Sequence, residues 1–257
     1  MDDKTRHIKP GREQAKQEAE YAFPYHYIAR RTEGNFSQTY NLSWGFEYLS
    51  YIQFVIDKLT HLQFGSLLDV GCGDGRFLYE VRKVFSHVYL AGIDISERAV
   101  GFARILNPDV HYMMGDLADK NITGEKFDVI TAIEVLEHIA PEKLPVFLEG
   151  LHFSLEIKGM LFLTVPSKNV RVRSKHYQHF DIAHLQEILN PYFEIAGRYF
   201  LNRIGFRRNV LKTCLSNRLF LLNSEFLLNA IYNYYQNAML NAHEHDSQRI
   251  FLICRKQ

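Results

Sequence analysis

Two groups of residues in this chain carry the functional groups from which a binding and reaction site can be built. The first is the turn within residues 66–77, SLLDVGCGDGRF, where Gly71, Gly73 and Gly75 alternate with Cys72 and Asp74. Glycines at this spacing remove side chains where a ligand must approach the backbone. The second is EVLEHIAP, which brings Glu134, Glu137 and His138 into one short run, with His176 and His179 following in KHYQHFD. If a helix begins at Glu134, residues three and four apart share a face, and all three side chains reach the mouth of the same cleft. Carboxylates beside imidazoles suit proton transfer or the ligation of a divalent cation.

The elements around these residues can be read from their patterns. Leu67, Leu68 and Val70 suit a strand buried on both faces, and Phe77, Leu78, Val81, Val84 and Phe85 recur at helical spacing. The expected order is strand, turn and helix, with free amides of the helix N-terminus directed at the turn and attracting an anionic group. Residues 87–96, HVYLAGIDIS, read as a second strand ending in Asp94, whose carboxylate can accept hydrogen bonds from both hydroxyls of a ribose. Residues 110–114 form a third candidate strand, ending in Gly115 and Asp116, and Phe127–Ile133 a fourth that runs into Glu134. Polar residues at successive strand ends mark the carboxyl edge of a parallel sheet, where ligands bind. A dinucleotide fingerprint would need a third glycine where Arg76 stands, which weakens the nicotinamide reading.

With Asp69 ahead of Gly71, Gly73 and Gly75, the turn resembles motif I of the class I S-adenosylmethionine-dependent methyltransferases, and Asp94 stands at that family's post-I position. The likeness covers residues 44–200 and the terminal strand. It implies a donor site formed by Asp69, Gly71, Cys72, Gly73, Gly75, Asp94, Ile95, Asp116, Leu117 and Ile133, with Asp116 at the exocyclic amine of adenine beside Leu117. The EVLEH run is similar to EVxEH segments of ubiquinone-pathway O-methyltransferases and small-RNA 2′-O-methyltransferases, in which the acids and histidines bind a divalent metal. That likeness implies Glu134, Glu137, His138 and His176 as ligands for Mg²⁺, Mn²⁺ or Zn²⁺, among which such a mixed set does not select. His138, Glu134 or His179 could instead take a proton from an acceptor hydroxyl, His138 first among them; a hydrogen-bonded, cleft-lining role for His138 stays open.

Strand and helix alternate through the rest of the chain. Helices are expected over 44–62, Glu97–Leu106, 141–156 and Ile182–Leu189, the last capped by Asp181, and strands over 160–165 and 193–200. RIFLIC, residues 249–254, suits the family's final antiparallel strand, inserted between the fifth and sixth. The expected fold is α/β: a doubly wound, mostly parallel, seven-stranded Rossmann-like methyltransferase sheet. The expected organisation is an N-terminal arm and cap over 1–43, a core over 44–201, a helical insert over 202–246 and a terminal strand over 247–257. Tyr21, Phe23, Tyr25 and Tyr27 belong to the cap and are expected to close over the site. Asn223, Ser224, Glu225, Asn229 and Asn233 interrupt the insert's apolar run, so it reads as two amphipathic helices and not as a membrane span. Core packing, a substrate lid, a dimer surface and contact with a membrane interface are its open roles.

Composition sets outer bounds. The 257 residues, 47% hydrophobic, can bury one ample core. With 30 basic residues against 29 acidic, the formal charge is +1, which gives no overall footprint for DNA or RNA. Three cysteines without a CxxC pair point to a reducing compartment, and a densely charged start without an apolar run points to the cytoplasm. Lys168, Arg171, Arg173 and Lys175, with Arg203, Arg207 and Arg208, read either as a rim for a carboxylate or phosphate or as a solvated loop. The leading expectation is O-methylation of a small-molecule or glycoconjugate acceptor. An RNA 2′-O-methyltransferase and a catalytically silent, cofactor-binding partner subunit are the alternatives.

Overall fold

The computed structural model describes residues 30–32, 35–37, 42–119, 122–215, 222 and 224–257. The aromatic segment Tyr21 to Tyr27, expected to cap the site, lies outside the described residues. A short hairpin, β1 (Arg30–Thr32) against β2 (Asn35–Ser37), precedes the core. Helix α1 (Leu42–Leu59) buries Ile52, Val55, Ile56 and Leu59 along one stripe. Then follow β3 (Ser66–Val70), α2 (Arg76–Val84), β4 (Tyr89–Asp94), α3 (Glu97–Leu106), β5 (His111–Met114) and β6 (Phe127–Ile133). Next come α4 (Leu144–Ser154), β7 (Leu155–Pro166), α5 (Ile182–Leu189), β8 (Phe193–Arg203), α6 (Phe206–Leu215), α7 (Glu225–Ala238) and β9 (Ser247–Lys256).

Seven strands form one sheet in the order β5-β4-β3-β6-β7-β9-β8, parallel except for β9, which runs antiparallel between β7 and β8. This is the doubly wound α/β sheet that the alternation of elements predicts. Alternate residues of each strand serve opposite faces. Leu67, Leu90 and Val129 pack with Ile52, Leu78 and Val100 of α1, α2 and α3. Leu68, Ile93 and Ile130 pack with Leu148 of α4 and Leu185 of α5. Burial on both faces is why these strands read as continuous apolar runs.

Several boundaries differ from the expected ones. No helix starts at Glu134: its φ is 56°, and a single 3-10 turn, Leu136–His138, follows. The Glu134 amide donates to the Thr164 carbonyl of β7, so the chain stays sheet-bound up to Glu134 and reverses there. The predicted helix over 141–156 is a 3-10 turn at Pro141–Lys143 followed by α4, and Glu156 already belongs to β7. Helix α6 begins well before the apolar run 219–240, which contributes α7. Among the described residues no helix is long and apolar enough to cross a membrane.

Candidate functional site

A cavity of ≈ 530 Å³ opens at the carboxyl ends of β3, β4, β5 and β6, within the range of about 300–1,000 Å³ common for small-molecule sites. Successive strands step outward from β3 to β5 and then return to β6 on the other side of β3. Ligands of open α/β sheets bind at such a reversal. Every residue the sequence assigns to the donor lines this cavity except Gly75.

Asp94 organises one half of the cavity. Its Oδ2 accepts from the Gly73 amide at 2.9 Å and its Oδ1 from the Ser96 amide at 2.9 Å, so the carboxylate is aimed by the backbone on both sides. Ser96 itself caps α3, accepting from Ala99 N at 3.1 Å. At Gly71, φ is 70° and an added Cβ would stand 2.6 Å from Val135 Cγ2, so only glycine fits this approach. Asp116 is exposed, and its Oδ1 accepts from Ala118 N at 2.9 Å, the turn-forming arrangement of an Asp after a strand.

Two expectations about the turn are corrected. Gly75 faces away from the cavity: a Cβ there would lie 2.6 Å from Tyr112 Oη and 2.9 Å from Ala103 Cβ, so the glycine serves helix packing. The turn does not offer a row of open amides either. Gly71 and Cys72 both donate to the Ile93 carbonyl, Gly73 donates to Asp94, and Gly75 donates to the Cys72 carbonyl. The anion at the start of α2 is the chain's own Asp74, which accepts from the Arg76 amide at 3.3 Å. These amides brace the turn against β4 because backbone donors in a buried turn need partners.

Asp69 lies beneath the turn, where Thr131 Oγ1 donates to its Oδ1 at 2.6 Å. Burial pushes its carboxyl up to about 7; the Thr131 hydrogen bond opposes the rise and the Asp94 charge adds to it. Between the unfolded value near pH 4 and about 7, the folded state therefore holds a proton that the unfolded chain releases, and stability falls as pH rises through this window. Asp69→Asn keeps an acceptor for Thr131 and removes the titration. Urea unfolding is expected to show the variant gaining on the parent by up to about 1.4 kcal/mol per pH unit across the window. A constant difference would place the Asp69 proton elsewhere.

The other half of the cavity holds the acid and histidine run. Glu137 is buried, its Oε2 has no hydrogen-bond partner among the described residues, and burial with the neighbouring Glu134 charge raises its carboxyl well above the ordinary range. His138 Nδ1 lies 3.1 Å from the Lys175 carbonyl, which only accepts, so in the neutral ring Nδ1 carries the hydrogen and Nε2 the lone pair. His179 Nδ1 lies 2.9 Å from the Val170 carbonyl, and its Nε2 lies 2.9 Å from His176 Nδ1. Passing the hydrogens along this chain places the lone pair of His176 on Nε2. Burial, with His138 and His179 adjoining, pushes His176 down to about 2 and keeps it neutral.

The geometry therefore sorts the candidates. Glu137, His138 and His176 each offer a ligand atom, all within 4.8 Å of one another. Glu134 lies outside this set: its Oε2 pairs with Arg249 Nε at 3.1 Å and its Oε1 accepts from Thr164 Oγ1 at 3.3 Å. The left-handed backbone at Glu134 separates it from Glu137 and His138, against the expected shared helical face. Both ring nitrogens of His179 are engaged within the protein, which makes it a brace for His176 and not a base.

Sequence reading missed much of the surrounding wall. Tyr48 and Tyr51 enter from α1, Lys212 from α6, and Gln248 and Arg249 from β9. The Arg249 guanidinium carbon sits 4.3 Å from the Tyr51 ring centroid. Because β9 is antiparallel, its first residues reach the edge where the parallel strands end, with Arg249 opposite Pro166. The available signal was a polar pair opening an otherwise apolar strand.

A glycine turn locked to a strand-end carboxylate, on a seven-stranded sheet with an antiparallel inserted strand, defines the architecture of class I methyltransferases. Residues 45–203 match the family model described as a methyltransferase domain, and the chain belongs to that family. It is 30% identical over 121 residues to the ubiquinone biosynthesis O-methyltransferase of Paraburkholderia phytofirmans, covering 45% of this chain and 50% of that one. It is 37% identical over 92 residues to a dTDP-4-amino-2,3,4,6-tetradeoxy-D-glucose N,N-dimethyltransferase of Saccharopolyspora spinosa, covering 35% and 34% respectively. The chain thus spans about half or less of the length of these relatives. The solved N-methyltransferase NodS of Bradyrhizobium japonicum, in complex with S-adenosyl-L-homocysteine, superposes with a TM-score of 0.56 at 16% identity, over 82% of this chain and 87% of that chain.

Proposed function

We infer that this protein is an S-adenosylmethionine-dependent methyltransferase that methylates a hydroxyl of a small-molecule or saccharide-like acceptor. The observation that carries the donor assignment is the bond between the Gly73 amide and Asp94, which fixes a strand-end carboxylate beside the glycine turn at the cavity. The family match supports methyl transfer, relatives named for O-methylation support a hydroxyl, and a relative named for N,N-dimethylation of a nucleotide-linked sugar supports the saccharide-like acceptor. When bound, the donor supplies a methyl group already activated on a sulfonium. The chain's own work is then to align the acceptor, exclude water and remove one proton. His138 is the residue for the proton: Lys175 fixes its tautomer, so the Nε2 lone pair receives the hydroxyl hydrogen.

Asp94→Ala is expected to weaken S-adenosylhomocysteine binding by about 1.5–3 kcal/mol, because a charge-assisted contact is lost and two backbone donors lose their acceptor. Calorimetry reads this directly, and an unchanged affinity would misplace the donor half. The activity is tested with labelled S-adenosylmethionine against a metabolite extract and against RNA. Transfer into small molecules supports the reading, transfer into RNA alone replaces it, and donor binding without any transfer identifies a silent partner subunit.

A divalent cation is a second reading, favoured by the convergence of Glu137, His138 and His176 donor atoms. Those three would hold it, with His179 orienting His176; such an ion supplies Lewis acidity toward an acceptor oxygen. Elemental analysis of the purified protein and of Glu137→Gln tests this. An equimolar metal lost in the variant supports it, and its absence together with activity that survives chelation removes it.

A further inference from the structure

The cavity wall is electrically divided. The donor half carries Asp74, Asp94 and Asp116 beside the buried Asp69 and no Lys or Arg, whereas the other half carries five cations, Arg173, Lys175, Arg208, Lys212 and Arg249, against Glu47, Glu134 and the buried Glu137. Two of these are neutralised within the fold, Arg208 by Glu47 at 2.7 Å and Arg249 by Glu134 at 3.1 Å. Arg173 and Lys212 have no side-chain partner among the described residues, and each is exposed at the mouth. The rest of the basic run is disposed otherwise: Lys168 pairs with Asp181 at 2.7 Å, Arg203 with Asp246 at 3.4 Å, and neither Arg171 nor Arg207 lines the cavity.

Arg173 and Lys212 both line this part of the cavity. Lys212 follows Arg208 by one turn of α6, and Arg208 is tied to Glu47 of α1. Arg173 and Tyr51, one turn beyond Glu47, line the same cavity. Gln248 Oε1 accepts from Arg208 Nη2 at 3.0 Å, which leaves its Nε2 a buried donor with no partner among the described residues.

We propose that the acceptor is an anion whose carboxylate or phosphoryl group is bound between Arg173 and Lys212, with the Gln248 amide as a further donor. The proposal rests on the methyltransferase reading and narrows its substrate class. A cationic donor at the acidic end and an anionic acceptor at the basic end would each meet a complementary field, which orients the acceptor with its reacting hydroxyl toward His138. A planar guanidinium and a mobile ammonium bind either oxyanion.

The test is calorimetric titration of the protein, with and without S-adenosylhomocysteine, using phenyl phosphate, benzoate and the neutral benzyl alcohol. At least one anion is expected to bind about tenfold or more tightly than benzyl alcohol, with an affinity that falls as salt is raised. The anion that wins identifies a phosphoryl or a carboxylate acceptor. In the double variant R173Q/K212Q the preference is expected to vanish while S-adenosylhomocysteine affinity is retained, since both residues are exposed and lie outside the donor half. Equal binding of the alcohol, failure of both anions to bind, or a preference that survives in the double variant would overturn the proposal. Failure of S-adenosylhomocysteine itself to bind would instead strike the functional reading, because anion preference is also measured without it.

Discussion

Replacing His138 by Gln is expected to slow methyl transfer by about 10²–10⁴-fold, the range of a positioned general base, without changing donor affinity. His138 belongs to the acceptor half of the cavity, and its Nδ1 hydrogen is directed at the Lys175 carbonyl 3.1 Å away. That contact leaves the lone pair of the neutral ring on Nε2, and under the proposed function this atom takes the acceptor's proton, a role glutamine cannot fill at neutral pH. The neighbouring candidates are less able to substitute. Glu134 is neutralised by Arg249, and His179 is bonded through both nitrogens. Rates measured at saturating donor, with separate calorimetry of S-adenosylhomocysteine, check the result. A variant as fast as the parent would show that the acceptor loses its proton without help from this imidazole.

Arg249→Met is expected to cost about 3–5 kcal/mol of stability, the penalty for breaking a buried ion pair from one side. The arginine is buried and meets three partners distant in sequence. Its Nε faces Glu134 Oε2 at 3.1 Å, its guanidinium covers Tyr51, and its Nη1 donates to Asn202 Oδ1 at 3.4 Å. Asn202 in turn donates to Tyr235 Oη at 2.6 Å, which ties α7 of the insert into the same network. Methionine fills much of the volume but strands the Glu134 carboxylate, whose side chain is only 20% exposed. The double variant R249M/E134Q removes that stranded charge and is expected to recover most of the loss. Urea unfolding of the parent, R249M, E134Q and the double variant measures the coupling. Additive losses would mean that the pair contributes nothing beyond packing.

The glycine turn and its flanking elements were legible because their causes are local. An apolar run, three alternate glycines and a helical repeat specify strand, turn and helix whatever surrounds them. Asp94 was equally readable, as an acid ending the next strand. What the amides of Gly71, Cys72 and Gly73 do was not readable, since their acceptors, Ile93 and Asp94, belong to another strand. The acid and histidine run misled in part. A helical repeat puts Glu134, Glu137 and His138 on one face, but sheet pairing with Thr164 and the left-handed backbone at Glu134 override it.

By itself the sequence determined the doubly wound sheet and the cavity edge, products of periodicity and of polar residues at consecutive strand ends, and its resemblance to class I methyltransferases pointed to the residues of the proposed donor half. Only the tertiary structure decided the acceptor half. The antiparallel run of β9 carries Gln248 and Arg249 to the carboxyl edge, and α6 brings Arg208 and Lys212 over α1. Those residues meet across long stretches of chain, so their roles depend on strand direction and helix docking, which no local pattern encodes.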